Sequence, residues 1–410
     1  MSEIERPHVP SGVARTGEPA GGDGAAAQRG LSRRDLLKLG VGVALGAGAV
    51  AGLSRLRGSA QGAAPSLRMA EDSARWRHPA KHYRRLPKKF VQCALCPKHC
   101  YVGPGGRGYC EVRENQGGDY YTLVYGRAAS VNVDPIEKKP FFHVLPGSPV
   151  FSFATAGCNM ECKNCQNWQL SQSRPEELPA SDLPPAKLVA AAREQGCSLI
   201  AGTYSEPIIF FEYLLDVAQE GNKRGLRTTM VSAGLIDREP MMELCQVLAA
   251  VKIDLKSMRE EFYRTNCEGA LQPVLDTIEL VKSQGVWLEI VYLVIPTLND
   301  SEEEIRDLAQ WVRTHVGPEV PLHFSRFQPA YRLKQLPPTP YDTLDRCHKI
   351  ARAEGLQYVY VGNIAHPAQS THCPKCGKVV IAREGYRVSE NHLRGGKCEF
   401  CRHPIPGIWS

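Results

Sequence analysis

The chain has 410 residues, of which 43% are hydrophobic and 23% are charged, so it can bury one large core and carry additional small modules. The net charge is +7, but no long basic run with interleaved aromatic residues is present, which argues against nucleic-acid binding. Most of the 15 cysteines fall into three clusters, a pattern that is typical of metal sites and argues against a disulfide framework.

Residues 1–64 are predicted to form a leader, because residues 1–30 are rich in Gly, Ala and Pro and have the composition of a disordered segment. Ser32-Arg33-Arg34 then precedes an uncharged apolar run over residues 39–53, which is too short to span a bilayer. This order resembles the twin-arginine export signal of bacteria. The resemblance implies an exported or membrane-tethered protein, with a cytoplasmic protein as the alternative. Residues 65–90 follow as a predicted linker.

The first cysteine cluster lies in a predicted Cys-rich module over residues 91–149 and consists of Cys93, Cys96, Cys100 and Cys110. Four cysteines are enough to complete the coordination of a metal. Their spacing differs from the ferredoxin run C-x2-C-x2-C-x3-C, so it does not by itself select iron over zinc. A structural zinc ion and an auxiliary 4Fe-4S cluster remain the two alternatives for this second metal site.

From residue 150 to residue 366 the sequence alternates short apolar β-type runs with helical patterns. Repeating βα units predict an α/β domain of parallel strands with right-handed crossovers, which forms a partial or full (β/α) barrel. Functional residues in such a barrel lie at the carboxyl ends of the strands. The predicted strands are 150–154, 199–203, 227–232, 251–255, 287–295, 321–327 and 358–361, and the predicted helices are 188–195, 208–223, 241–249, 274–284, 302–314 and 344–354.

Three cysteines directly follow the first predicted strand in the order C-x3-C-x2-C, and they are Cys158, Cys162 and Cys165. A 4Fe-4S cluster has four irons, so three thiolates leave one iron with an open position that can bind a substrate. A structural zinc loop is the alternative, but a fourth ligand is missing nearby in the sequence. The spacing resembles the signature of the radical S-adenosylmethionine (SAM) enzymes. This resemblance implies a 4Fe-4S cluster and SAM as cofactors, and reductive cleavage of SAM to methionine and a 5'-deoxyadenosyl radical that abstracts hydrogen from a substrate.

The resemblance also assigns SAM contacts to residues at the ends of later strands. Thr203-Tyr204-Ser205-Glu206-Pro207 is similar to the strand-2 motif of the family, which implies that Glu206 binds the SAM amino group. A glutamate that stabilises a helix start is the alternative. Asp254 and Lys256 share one face of the fourth strand and are similar to an Asp-Leu-Lys of the pyruvate formate-lyase activating enzymes. They are implied to contact the ribose or a cation and the SAM carboxylate respectively, with an ion pair to neighbouring strands as the alternative.

Three positions near the predicted site depart from the family or stand alone. Asn164 replaces the aromatic residue that is common before the third cysteine. Where the family often has Thr-Asn-Gly after the third strand, this chain has Ser232-Ala233-Gly234, which puts a polar contact from this turn in doubt. Cys267, after the fourth strand, is a candidate catalytic relay for a hydrogen atom or radical, with a buried bystander as the alternative.

The last cysteine cluster lies in residues 367–410 and forms two C-x2-C pairs, made of Cys373, Cys376, Cys398 and Cys401. Two such pairs predict a zinc-ribbon-like module with one tetrahedral zinc ion, and a rubredoxin-like iron is the alternative. A module of this size needs the metal to hold its fold, because its own core is small.

Further motifs occur in order within residues 80–410, and they are residues 93–100, 105–110, 134–140, 293–300, 323–327, 360–363 and 404–409. They resemble the radical SAM member of the AmmeMemoRadiSam system, which is related to pyruvate formate-lyase activating enzymes. The relationship implies a flavodoxin- or ferredoxin-like electron donor and leaves the substrate open, with a glycine of a partner protein as a candidate. The alternatives from other classes are a non-catalytic iron–sulfur electron-transfer protein and a zinc-ribbon nucleic-acid-binding protein.

Overall fold

The structure is a computed structural model that describes residues 75–410. The predicted leader, its twin-arginine pattern and residues 65–74 of the predicted linker lie outside the described residues, so the export prediction stays a prediction. Within the described range no helix has the length and apolar character that are needed to cross a membrane.

The described part begins with seven short strands, β1 (His78–Pro79), β2 (Tyr83–Arg85), β3 (Val91–Cys93), β4 (Tyr101–Val102), β5 (Arg113–Gln116), β6 (Asp119–Thr122) and β7 (Arg127–Ala128). Six of them form two antiparallel sheets, in the orders β1-β6-β5 and β2-β3-β4. The linker prediction for residues 65–90 is therefore wrong from His78 onward. Strands of two or three residues show no readable periodicity, and β1 pairs with the distant strand β6.

The next strands are β8 (Ser130–Pro135), β9 (Pro149–Ala154), β10 (Ser181–Asp182), β11 (Leu199–Gly202), β12 (Arg227–Ser232), β13 (Ala250–Asp254), β14 (Trp287–Val294), β15 (Leu322–Arg326) and β16 (Val359–Gly362). Strand β10 pairs with β7, and the other eight form one sheet in the order β16-β15-β14-β13-β12-β11-β9-β8. Strands β9 and β11–β16 are parallel, and β8 runs antiparallel to β9 along one edge. Strands β8 and β16 do not pair with each other, so the sheet is a partial barrel.

The seven strands that the sequence predicts in residues 150–366 are confirmed, with ends that differ by about one residue. The parallel arrangement is confirmed as well. Strand β8 was not predicted, because its burial does not alternate cleanly and its pairing partner β9 follows only after an intervening loop. The fold therefore gathers the carboxyl ends of β9 and β11–β16 at one edge of the sheet, where a site is expected.

Helices fill the connections between the parallel strands, and they are α1 (Trp168–Ser171), α2 (Pro185–Glu194), α3 (Phe211–Lys223), α4 (Arg238–Cys245), α5 (Glu260–Phe262), α6 (Leu271–Ser283), α7 (Glu302–His315) and α8 (Tyr341–Ala353). Helix α7 illustrates why they form. The Ser301 hydroxyl caps its start by accepting a 3.2 Å hydrogen bond from the Glu304 amide. Its buried apolar residues recur at helical spacing and turn one apolar face to the sheet; they are Ile305, Leu308, Ala309 and Val312.

The chain ends in five strands, β17 (Thr371–His372), β18 (Val379–Glu384), β19 (Arg387–Asn391), β20 (Leu393–Arg394) and β21 (Lys397–Cys398). Strands β17, β18 and β19 form an antiparallel sheet, and β20 pairs with β21. This C-terminal module shares a hydrophobic core with the last parallel strand, so it packs onto the barrel. The buried residues of that core are Phe142, Tyr358, Tyr360, Cys373, Val380, Ile381, Leu393, Cys398 and Ile405.

His143 links the barrel to the C-terminal segment through a fully buried imidazole. Its Nδ1 donates to the Pro406 carbonyl oxygen over 2.7 Å, and its Nε2 accepts a 2.6 Å hydrogen bond from the Tyr360 hydroxyl. Burial lowers the pKa of His143 to about 4, so the ring is neutral in the folded protein at neutral pH.

We predict that the free energy of unfolding falls as the pH drops below 6.5, since the unfolded imidazole then binds a proton that folded His143 takes up only near pH 4. This residue contributes a loss of about 1.4 kcal/mol per pH unit within that window. In His143→Gln, urea unfolding between about pH 7.5 and pH 5 should give a shallower slope. Tyr360→Phe removes a partner but no imidazole, and it should keep the wild-type slope. An unchanged slope in His143→Gln would contradict this explanation.

Candidate active site

A cavity of about 500 Å³ opens at the carboxyl ends of the parallel strands. Its wall includes the ends of β11, β12 and β13 and the loop after β9, which bring thiols and charged groups to one place. The structure thus brings together the residues that the sequence assigned to the cluster and to SAM. They line the cavity as Cys158, Cys162, Cys165, Glu206, Asp254 and Lys256.

The cluster loop, residues 157–167, is fixed by hydrogen bonds to the neighbouring segments. The Asn159 side chain donates to the carbonyl of the segment after β12 over 2.7 Å. The amides of Glu161 and Lys163 donate to carbonyls of the π-helical turn Tyr263–Cys267, over 3.0 and 2.8 Å. These bonds hold the loop from two sides, so its cysteines are positioned by the barrel and not by the loop alone.

Gly157 begins the cluster loop in a conformation that only glycine suits. Its φ is +91°, and a Cβ at this position would lie 2.6 Å from both the Cys110 carbonyl oxygen and the Val112 side chain. The start of the cluster loop is therefore pressed against the N-terminal cysteine segment.

The three cluster thiols differ in their acidity. A hydrogen bond with Cys267 lowers the pKa of Cys162, and the positive charge of Lys256 lowers it further. Together they outweigh burial, which alone would raise this pKa. Burial raises the pKa of Cys158 and of Cys165. Because the thiolate is the form that binds metal, iron binding must displace protons from the latter two.

Glu206 is a buried carboxylate directly after β11, and it is 3% exposed. Its Oε1 accepts a 2.7 Å bond from the Ser232 hydroxyl and a 3.2 Å bond from the Ile208 amide, while Oε2 accepts a 2.8 Å bond from the Ala233 amide. Each carboxylate oxygen has two acceptor positions, so Oε2 keeps one for a further donor. Burial raises the pKa of Glu206, although these hydrogen bonds oppose the shift.

The turn Ser232-Ala233-Gly234, whose polar contact was in doubt, does make polar contacts. They go to Glu206 through the Ser232 hydroxyl and the Ala233 amide, and the Gly234 amide donates to Ser232 Oγ over 2.9 Å. Glu206 also has part of the role given as the alternative, a glutamate that stabilises a helix start, because its side chain caps the helical turn Pro207–Phe210. The carboxylate is thus held rigidly while it faces the cavity.

Asp254 bridges two lysines in the cavity wall. Its Oδ2 accepts a 3.1 Å hydrogen bond from Lys256, and its Oδ1 accepts one from Lys252. Burial alone would raise the pKa of Asp254, but the two ammonium groups outweigh it and lower the pKa to about 2. Each ammonium has three donors, so Lys256 keeps donors for an anionic group in the cavity.

The wall also contains polar atoms that suit a bound ligand. Asn164 Oδ1 and Ser205 Oγ are buried, line the cavity and have no hydrogen-bond partner among the described residues. Buried polar atoms in folded proteins are normally paired. Together with the acceptor on Glu206 and the donors on Lys256, they fit a ligand that carries an ammonium, a carboxylate and further polar groups, as SAM does.

The spacing of the cluster thiols argues against the structural zinc loop. Among residues 75–410, three or more ligand atoms lie within 4.8 Å of one another only in the C-terminal cysteine set. The ligands of a single ion must come that close, whereas each thiolate of a 4Fe-4S cluster binds a different iron. Cys158, Cys162 and Cys165 therefore fit a cluster better than a single ion.

Cys267 occupies a different place from the one that a relay to substrate requires. It is fully buried in the π-helical turn and is absent from the residues that line the cavity. Its thiol contacts Cys162 and its carbonyl oxygen accepts from the Glu161 amide. The burial of Cys267 favours the alternative of a residue without a relay role, and its contacts help to position the cluster loop.

Several residues that line the cavity were not singled out from the sequence. The position of Lys252 in the cavity wall could have been predicted, because alternation along the strand places its side chain on the same face as that of Asp254. Lys139 donates to Asp134 over 2.6 Å and to the Tyr204 hydroxyl over 3.2 Å, and burial lowers its pKa to about 8. His323 is bonded to a buried glutamate over 2.7 Å. Lys139 and His323 lie in two of the motifs that carry the family resemblance, which is the signal that marks them.

The C-terminal cysteines form a compact metal-binding set, made of Cys373, Cys376, Cys398 and Cys401. The Sγ atoms are 3.5 Å apart in one pair and 3.8 Å apart in another. Zinc–sulfur bonds of about 2.3 Å in a tetrahedron place sulfurs about 3.8 Å apart, so the observed separations suit one tetrahedral ion.

The C-terminal module also contributes to the cavity wall. The hairpin turn after β18 brings Tyr386 to the cavity, where its hydroxyl donates to Asn363 over 3.1 Å.

We predict that the full chain binds one zinc ion at this set and that Cys376→Ser with Cys401→Ser loses it. Two of the four ligands are then missing, and the small module loses the metal that supports its fold. Elemental analysis of protein from zinc-supplemented cells measures the effect, and Cys245→Ala, remote from the set, serves as the control. Metal-free wild-type protein, or iron in place of zinc, would contradict the zinc assignment.

The fold and the site are those of a radical SAM protein: a parallel partial barrel with a three-cysteine loop and a cavity lined by charged side chains at its strand ends. In agreement, the family profile of the radical SAM superfamily matches residues 153–309. An uncharacterized protein of Methanocaldococcus jannaschii is 38% identical over 329 residues, which cover 80% of this chain and 98% of that protein. Residues 153–309 of the chain therefore form a radical SAM domain.

Two further comparisons are more distant. The pyruvate formate-lyase 1-activating enzyme of Escherichia coli K12 is 23% identical over 222 residues, which cover 50% of this chain and 89% of the enzyme. Among solved structures, a radical SAM methyltransferase from Sphaerobacter thermophilus matches with a TM-score of 0.42 and 15% identity, over 78% of this chain and 86% of that one.

Proposed function

We propose that this protein cleaves SAM reductively and that the resulting 5'-deoxyadenosyl radical abstracts hydrogen from a substrate. The observation that carries the proposal is the convergence of the three-cysteine loop, Glu206 and Lys256 on one cavity. The three thiolates would hold a 4Fe-4S cluster, which supplies the low-potential electron and an open iron for SAM.

The protein's own residues orient SAM by its amino acid group. Glu206 accepts a hydrogen bond from the ammonium through the free position on Oε2, and Lys256 donates to the carboxylate. Asp254 and Lys252 hold Lys256 in place and leave one positive charge in excess among the three. Because these groups are largely buried, their charge-assisted bonds are stronger than they would be in water.

A protein substrate, as in glycyl-radical activation, is supported by two observations. The relatives include pyruvate formate-lyase activating enzymes. Exposed aromatic side chains lie next to the cavity: Trp168 directly follows the lining residue Asn167 and stacks on Tyr331 with ring centroids 5.2 Å apart, and Tyr386 lines the cavity at 45% exposure. Exposed aromatic groups beside a cavity are typical of protein-binding surfaces. The ordered motifs of residues 80–410 further support membership of the AmmeMemoRadiSam system.

Deuterium transfer tests both the hydrogen abstraction and the class of substrate. The native host is grown in heavy water, and its extract is separated into a protein fraction and a small-molecule filtrate. Each fraction is then incubated with the reconstituted protein, SAM and dithionite. Deuterium in 5'-deoxyadenosine from the protein fraction is expected, and mass spectrometry measures it. Transfer from the filtrate alone would contradict a protein substrate, and transfer from neither would contradict hydrogen abstraction. Replacing dithionite by reduced flavodoxin or by reduced ferredoxin tests the proposed electron donor, and an absence of product with both would contradict it.

A further inference from the structure

The four cysteines of the N-terminal segment are gathered into one place by tight backbone structure. The Cys93 amide donates to the Cys100 carbonyl over 2.9 Å, next to the paired strands β3 and β4. Cys96 begins a turn that the His99 amide closes over 3.0 Å, and Cys110 lies in a turn that the Glu111 amide closes over 2.9 Å. The Tyr109 amide, next to Cys110 in the chain, donates to Cys100 Sγ over 3.3 Å, so these bonds together bring the cysteine-bearing turns to one region.

A buried hydroxyl faces that region without a partner. Tyr120 is 1% exposed, and its hydroxyl makes no hydrogen bond to any described residue. A Cβ at Gly108 would lie 2.7 Å from the Tyr120 hydroxyl and 3.7 Å from Cys100 Sγ, so both atoms border the same space. An unpaired buried hydroxyl is costly, whereas a sulfide or a thiolate beside it would accept its hydrogen bond.

The thiol spacing distinguishes this set from the C-terminal one. The C-terminal Sγ atoms already have the separation that a single tetrahedral ion requires. No three thiols of the N-terminal set, all of which lie in residues 75–410, come within 4.8 Å of one another. A set that is not gathered this closely fits a cluster, in which each thiolate binds its own iron, better than a single ion.

We propose that this segment holds a second 4Fe-4S cluster through four protein thiolates, and that Tyr120 donates a hydrogen bond to it; the ligands are Cys93, Cys96, Cys100 and Cys110. With four protein ligands the cluster has no open iron, which sets it apart from the SAM site. This inference goes beyond the proposed function and does not depend on SAM cleavage.

The N-terminal segment packs against the barrel and against the start of the cluster loop. The Cys110 carbonyl contacts Gly157 at the start of the cluster loop, and the Leu95 carbonyl accepts from the segment after β12 over 3.1 Å. Arg113, three residues after Cys110, forms a fully buried 2.7 Å ion pair with Glu212 of α3. These contacts fasten the N-terminal segment to the barrel beside the SAM site.

The test uses the full chain in which Cys158, Cys162 and Cys165 are replaced by Ser, so that the first cluster is absent. After anaerobic reconstitution, this protein is expected to retain about four iron and four sulfide per chain and to show the electron paramagnetic resonance signal of a reduced 4Fe-4S cluster. Adding Cys100→Ser and Cys110→Ser should abolish both. An iron-free protein, or one with a second zinc ion, would overturn the proposal, and neither result bears on SAM cleavage.

Tyr120→Phe in the same background tests the hydrogen bond separately. The variant should keep its iron and have a lower reduction potential, because a hydrogen bond to a cluster sulfur stabilises the reduced state. Tyr121→Phe, at the next position of β6, is the matched control. An unchanged potential with full iron content would overturn the role of Tyr120.

Discussion

Replacing Cys158, Cys162 and Cys165 together by Ser should reduce 5'-deoxyadenosine formation to background while the protein stays folded. The cysteines lie in a loop at the rim of the barrel, whose core is built from the strands and helices, so folding does not depend on the cluster. Chromatographic detection of 5'-deoxyadenosine after anaerobic reconstitution measures the loss, and circular dichroism checks the fold.

The matched control replaces three cysteines outside the clusters, as Cys197→Ala, Cys245→Ala and Cys347→Ala. All three are buried and none lines the cavity, so this variant should keep its activity. If the loop variant still yields 5'-deoxyadenosine, the SAM-binding cluster lies elsewhere and the site assignment is wrong.

Glu206→Gln should weaken SAM binding roughly 10- to 150-fold with little change in iron content. Gln preserves the shape and keeps an oxygen for the Ser232 hydroxyl, but its amide nitrogen then replaces Oε2 and cannot accept from the SAM ammonium, so a charge-assisted bond worth about 1.5–3 kcal/mol is lost. Anaerobic equilibrium dialysis with reconstituted protein gives the dissociation constant.

Glu304→Gln is the matched control for Glu206→Gln. Glu304 is also a buried carboxylate with several hydrogen bonds, from Ser257, Met258 and Tyr292, but it lies outside the cavity lining. It should leave SAM affinity close to that of the wild type. If Glu206→Gln and the wild type bind SAM with equal affinity, Glu206 does not contact SAM and its assignment is wrong.

The barrel was predictable because its strands are continuous apolar runs with helical patterns between them. The cluster loop was predictable from spacing alone, since its three cysteines are close in sequence. Glu206 was found through its motif, but its orientation was not, because Ser232 and Ala233 reach it from the next strand. Contacts of this kind depend on the sheet order and leave no local signal.

The N-terminal segment was the least predictable part. Strands β1 and β2 are two and three residues long; β1 pairs with the distant strand β6 and β2 with the nearby strand β3, so both are stable only within their sheets. The number of cysteines in this segment was enough to predict a metal site. The choice between a zinc ion and an iron–sulfur cluster depends on the spacing of the thiols and on the buried Tyr120 hydroxyl. Neither is visible in the sequence.

The central claim, that the protein cleaves SAM reductively, is tested most directly by the products of a single anaerobic reaction. Wild-type protein reconstituted with iron and sulfide, then given SAM and dithionite, is predicted to form 5'-deoxyadenosine and methionine in equal amounts. Neither product should form when dithionite or iron is omitted. A protein that carries its cluster and binds SAM but yields no 5'-deoxyadenosine would contradict the claim.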